Sequence, residues 1–180
     1  MMPWTFYPAF LATLISIVGW TYMAYRDHDK VNPRTLSELG AARRSTLTYF
    51  RAVLWVCGLL FAVTMYFFVV PRVAHALLQA IAWSITFLCE VLLGVFPAMG
   101  KTARLHDVLA GTMAIGMLIM AYLLSWSLQG SAMHVEIVVA LVMSILGFGA
   151  VVNRRNFIFY ELPFIFLAHI TIVVAAIGLR

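Results

Sequence analysis

No charged side chain falls between Met1 and Arg26, and the stretches 52–71 and 108–128 are equally bare. Apolar runs of this length leave a chain few options. A helix needs roughly 20 apolar residues to cross about 30 Å of hydrocarbon. In lipid, only helices and closed barrels satisfy every backbone polar group. A barrel strand alternates apolar and polar residues, and these runs are continuous, so the spans are helices. Composition agrees: 64% of the 180 residues are hydrophobic and 11% charged, against about 45–50% and 25% in globular chains. That excludes a soluble enzyme domain, a disordered chain and a nucleic-acid binder. It also excludes a disulfide scaffold, because Cys57 and Cys89 lie in apolar runs without C-x-x-C spacing.

Six segments qualify as spans, over residues 4–25, 52–70, 73–96, 108–128, 133–152 and 157–179. The expected fold class is all-α, a bundle of six transmembrane helices forming a single domain, 1–180. The first segment has no basic n-region and no A-x-A-like site, so it is expected to be retained rather than cleaved. Orientation follows from the positive charges. Ten of the twelve lysines and arginines lie in the loops after the first, third and fifth spans, and only Arg72 and Arg180 lie on the other side. Short basic loops stay in the cytoplasm, so both termini are expected outside, in a prokaryotic cytoplasmic membrane.

The only long connection runs from Arg26 to Thr48. Within it, Thr35-Leu36-Ser37-Glu38 has capping-box spacing, with Asn32-Pro33 before and Gly40 after, which predicts a short interfacial turn of helix. Small residues recur at helical spacing at Ala12, Ser16 and Gly19, and again at Asp107, Gly111 and Ala114. Such stripes predict close helix approach. There is no internal repeat, and only the sixth span has a mid-segment proline. A transporter built on inverted repeats would break helices in corresponding places.

The string Thr35-Leu36-Ser37-Glu38-Leu39-Gly40, the Leu93-Gly94-Val95-Phe96-Pro97 that ends the third span, and Leu105-His106-Asp107-Val108-Leu109-Ala110-Gly111 opening the fourth together resemble one family. It is domain-of-unknown-function family 998, six-helix prokaryotic integral membrane proteins distantly similar to DRAM/Sfk-type membrane proteins. The resemblance covers roughly residues 5–128. It implies a six-helix membrane fold and brings no established reaction. The eukaryotic relatives are usually drawn with the first loop outside, whereas the charges here place it inside.

An ionisable side chain at the centre of a membrane helix costs about 2.5–3.5 kcal/mol on insertion scales, so each one calls for a reason. Glu90, His106, Asp107 and Glu161 fall towards the cytoplasmic half, with Ser37 and Glu38 nearby in the first loop. Carboxylates with an imidazole suit a divalent metal or proton exchange. Each also has a plainer explanation. Glu38 fits a capping box, Asp107 a helix N-terminus, His106 a bond to loop backbone, and Glu161 a pairing with Arg154 or Arg155. Glu90 is the hardest to dismiss. It needs a polar partner from another helix, with His106 expected first and Asp107 or Glu161 next. Glu136 lies near the start of the fifth span. His75 and His134 open spans on the outer side and His169 lies beyond the midplane, apart from the cluster.

Three functions follow as expectations. The first is an integral membrane protein of unassigned activity that contacts the lipid bilayer or a membrane protein partner. Its first loop, with six basic residues, would attract anionic lipid. The second is an intramembrane hydrolase or transferase acting on lipid, metal-dependent or acid/base, through Glu90, His106, Asp107 and Glu161, with Ser37 as a nearby hydroxyl. The third is a b-haem electron carrier.

Overall fold

The computed structural model describes residues 6–31, 35–153 and 157–179. The expected contacts of Arg154 and Arg155, and the readings of Asn32, Pro33 and Arg180, lie outside these. The elements are α1 (Phe6–Val31), α2 (Leu36–Ala41), α3 (Arg44–Thr64), α4 (Ala76–Val95), α5 (Ala103–Ser125), α6 (Gly130–Val152) and α7 (Ile158–Gly178). The described residues contain no strand. Six helices are long and apolar enough to cross a membrane. The architecture is therefore an all-α bundle, and α2 is the short turn that the Thr35–Glu38 spacing predicts.

Several helices outrun their apolar segments. The α1 helix continues to Val31, and α3 begins at Arg44, well before the bare run at 52. Charged residues end the hydrocarbon-soluble part of a helix but not the helix, because Arg and Lys are good helix formers. At its far end α3 passes into a π-helical turn, Met65–Val69, and a 3₁₀ turn, Val70–Arg72. Pro71 explains the change, since it lacks an N–H and clashes with the carbonyl four residues back. The widened turn absorbs that clash.

Consecutive spans pack as neighbours, α1 on α3, α3 on α4, α4 on α5, α5 on α6 and α6 on α7; α7 then returns to α1 and closes the ring. The α4–α5 approach depends on Gly116, where a Cβ would collide with Thr86 Oγ1. The two small-residue stripes part company here. Ala12 and Ser16 are fully buried and Gly19 packs on Val53, so α1 does lie close to α3. Asp107 and Gly111 are exposed, and nothing comes within 4 Å of a Cβ placed on Gly111. Spacing alone does not say which face of a helix meets a neighbour.

Two residues of α3 finish the last turn of α4. Arg51 Nε donates to Gly94 O at 2.6 Å, and Trp55 Nε1 donates to Val91 O at 3.2 Å. Gly94 O is one of the carbonyls that a helix end leaves unpaired, and a cation there also suits the macrodipole. The outer surface carries large apolar side chains such as Leu77, Ile115, Ile145, Phe148 and Phe159. A soluble protein could not expose so much apolar area without associating. In a bilayer this is the lipid-facing surface.

Candidate functional site

The α4 helix presents one polar line to the interior. Gln79, Trp83, Thr86 and Glu90 follow at intervals of four, three and four, which is one helical face, and all four are buried. The line runs roughly 16 Å along the axis, at 1.5 Å per residue. Thr86 Oγ1 donates to Ala82 O at 2.8 Å, whereas Gln79 Nε2 and Oε1 and Trp83 Nε1 have no hydrogen-bond partner. Buried polar atoms are normally paired, so a row without partners calls for a cause.

At the lower end of that line sits Glu90, 6% exposed. Its carboxyl rests against the α3 backbone at Gly58, where a Cβ would stand 2.9 Å from Oε2. The same carboxyl borders a small internal cavity of about 30 Å³. Five helices supply its walls, including Trp20 of α1, Cys57 of α3, Met113 and Met117 of α5, and His169 of α7. His169 is 5% exposed, its ring lies 4.6 Å from that of Phe61, and its Nδ1 has no partner. The Cys57 thiol donates to Ala12 O at 3.4 Å. A water needs roughly 10–15 Å³ of such space and two or more polar neighbours. The cavity therefore has room for one or two waters, with Glu90 and His169 both in its wall.

The partner expected first for Glu90 is engaged elsewhere. His106 is buried, and its Nδ1 meets Phe96 O at 2.6 Å, closing the loop between α4 and α5, while its Nε2 has no partner. The reason is the lean of helical side chains towards their own N-terminus. The α4 helix runs towards the end of the bundle that carries Arg26, Arg51 and Lys101, so Glu90 leans away from that end. Both α5 and α7 start there. His106 therefore leans into the loop, away from Glu90, while His169 leans down to meet it. His169, set apart from the cluster on depth alone, belongs at this cavity.

The remaining candidates separate. Asp107 is exposed. Glu161, half-buried, accepts a 2.7 Å bond from Leu36 N, so a carboxylate of α7 caps the start of α2 from 125 residues away, with Glu38 close by. Thr35 Oγ1 accepts from Glu38 N at 3.0 Å, which supplies one arm of the predicted capping box. Ser37 is half-buried on the same turn. Glu161→Ala should loosen α2 by about 1–2 kcal/mol. Water-soluble maleimide should then label a Ser37→Cys reporter about 5–30-fold faster, while the two native cysteines stay buried. An unchanged labelling rate would show that apolar burial alone holds α2.

Among the described residues no three His, Cys, Asp or Glu side chains stand together as a metal site. His134 Nδ1 meets Gly130 O in its own first turn, and His75 lies edge-on to Trp126, 5.9 Å between ring centroids. Both are exposed. Comparison with known proteins finds no matching family model, curated protein or solved structure.

Glu136 went unrecognised in the sequence. It is fully buried, with the Thr171 hydroxyl of α7 within reach of its carboxyl, and neither carboxyl oxygen makes a hydrogen bond of good geometry. The Thr171 hydroxyl is spent on Leu167 O at 3.2 Å.

Proposed function

We propose that this is a proton-translocating membrane protein in which protons pass along the inner face of α4 through a hydrated Glu90–His169 site. One observation carries the reading. A carboxyl and an imidazole, both more than nine-tenths buried, face one cavity of water size, and the imidazole keeps an unpaired nitrogen. These are the side chains that exchange protons readily, through one water where they do not touch. Ionisable residues inside a bundle are characteristic of proton relays. The unpartnered Gln79 and Trp83 extend the polar line beyond Glu90.

The cavity favours a proton over a larger substrate. Sites for small molecules run to about 300–1,000 Å³, against about 30 Å³ here. A lipid hydrolase or transferase built on Glu90, His106, Asp107 and Glu161 has less support, because these four do not converge. By the charge asymmetry, Glu90 lies nearer the cytoplasmic face of a prokaryotic membrane.

The test is proton flux into proteoliposomes holding a pH-sensitive dye, under a potassium diffusion potential. The wild type should acidify the lumen faster than protein-free vesicles do. Glu90→Gln and His169→Phe should return the rate to the protein-free level, and Cys57→Ala should keep it. Wild-type flux no faster than that of empty vesicles would overturn the reading.

A further inference from the structure

At the basic end of the bundle, the short α2 helix rests on side chains that lead inward to the Glu90–His169 cavity. It packs on α1, α3 and α7, three of the five helices that wall that cavity. Its Leu36 and Leu39 are fully buried. A Cβ on Gly40 would strike the Phe50 ring at 2.6 Å, the Phe50 ring lies 5.3 Å from that of Trp20, and Trp20 lines the cavity. On α3, Phe50 shares a face with Leu54 and Cys57, both in the cavity wall. On α7, Glu161, Ile165 and His169 follow at four-residue intervals, about 12 Å along the axis at 1.5 Å per residue. Ile165 and His169 line the cavity, while Glu161 accepts the 2.7 Å bond from Leu36 N.

We propose that α2 is a plug closing the basic-end approach to this cavity, and that the Glu161 carboxyl is its latch. The proposal deepens the proton reading and rests on it for its purpose, since a hydrated proton site without a seal is a standing leak. The helix is built to open. Six residues make a marginal helix on their own, and a side chain 125 residues away ties its first turn down. Ala42 and Arg43 interrupt the helix before α3 begins, so α2 can leave without unwinding α3. Lids are drawn from such weakly held parts of a fold. Latch and imidazole share one face of α7, so the group that releases the plug stands above the group that it uncovers.

The test reads water access to Cys57, a free and buried thiol in the cavity wall, in a Cys89→Ala background. The probe is a methanethiosulfonate carrying a fixed quaternary ammonium, which reaches the thiol only through water. Labelling through a transient opening tracks the population of the open form. Glu161→Ala removes the latch and should speed Cys57 labelling about 5–30-fold, the worth of one helix cap. Gly40→Leu drives α2 off Phe50 and should speed it too, which keeps the test alive if Glu161→Ala fails to fold. A Ser37→Cys reporter in the same variants shows whether α2 itself has moved. Faster labelling at Ser37→Cys with Cys57 unchanged would overturn the plug, because α2 would then have left and the cavity stayed shut. Unchanged rates at both positions would overturn the latch. Faster Cys57 labelling in a protein that carries no proton flux would uphold the plug and remove the proton reading.

Discussion

Glu90→Met and His169→Leu should each destabilise the bundle by about 1–3 kcal/mol, and the double variant should cost far less than their sum. The two groups face one cavity, and each single change leaves the other stranded among apolar side chains. Stranding a buried polar group carries its desolvation penalty in full. Removing both with side chains of similar volume leaves a dry apolar cavity, which is nearly neutral. The expected coupling energy is about 0.5–3 kcal/mol, the range for residues sharing one network. Denaturation midpoints in a fixed mild detergent give all four corners of the cycle. Strict additivity would mean that each group has its own partner and that no shared water joins them.

The spans were legible because hydrocarbon leaves no choice: a run such as 108–128 must hide its backbone polar groups, and only a helix does so. The helix ends were not legible, because that argument stops at the hydrocarbon edge. Residues 44–51 are helical although they include Arg44 and Arg51, and there charge and apolarity no longer separate helix from loop. The α2 turn was visible because its cap is local chemistry, with Thr35 accepting from Glu38 N three residues on. The bond that anchors it, from Leu36 N to Glu161, spans the chain and leaves no local trace.

Glu90 stood out as an acid too deep to be left alone, and the structure buries it. Its neighbour was misjudged because depth was counted along helix axes without the direction in which side chains lean. That direction separates Glu90 from His106 and brings His169 to it. The polar line on α4 was there to be read in the spacing 79, 83, 86, 90, yet tryptophan and threonine in a membrane segment pass for ordinary apolar or small residues. Glu136 was hidden for another reason. It lies near the start of a span, where position alone does not tell a buried acid from an exposed one, and the packing of α6 on α7 buries it.

That burial makes Glu136 the place where a single substitution should strengthen the fold. No hydrogen bond of good geometry reaches either carboxyl oxygen, and Thr171, the hydroxyl within reach of it, gives its proton to Leu167 O. A buried group without partners costs about 1–3 kcal/mol, and an apolar replacement of the same shape recovers that cost. Glu136→Met keeps length and volume while removing both oxygens, so it should stabilise the bundle by about that amount. The thermal midpoint in detergent should rise by about 2–4 °C per kcal/mol, the scale for chains of this size. Glu136→Gln should gain little, since an amide brings its own unpaired donor and acceptor to the same place. Thr171→Val should be close to neutral, because a hydroxyl bonded within its own helix is not what holds α6 on α7. The order Met above wild type, with Gln near it, follows only if the acid is unsatisfied. A lowered midpoint in Glu136→Met would instead mean that the carboxyl has a partner worth more than its desolvation, and a water held between Glu136 and Thr171 would then be the group to look for.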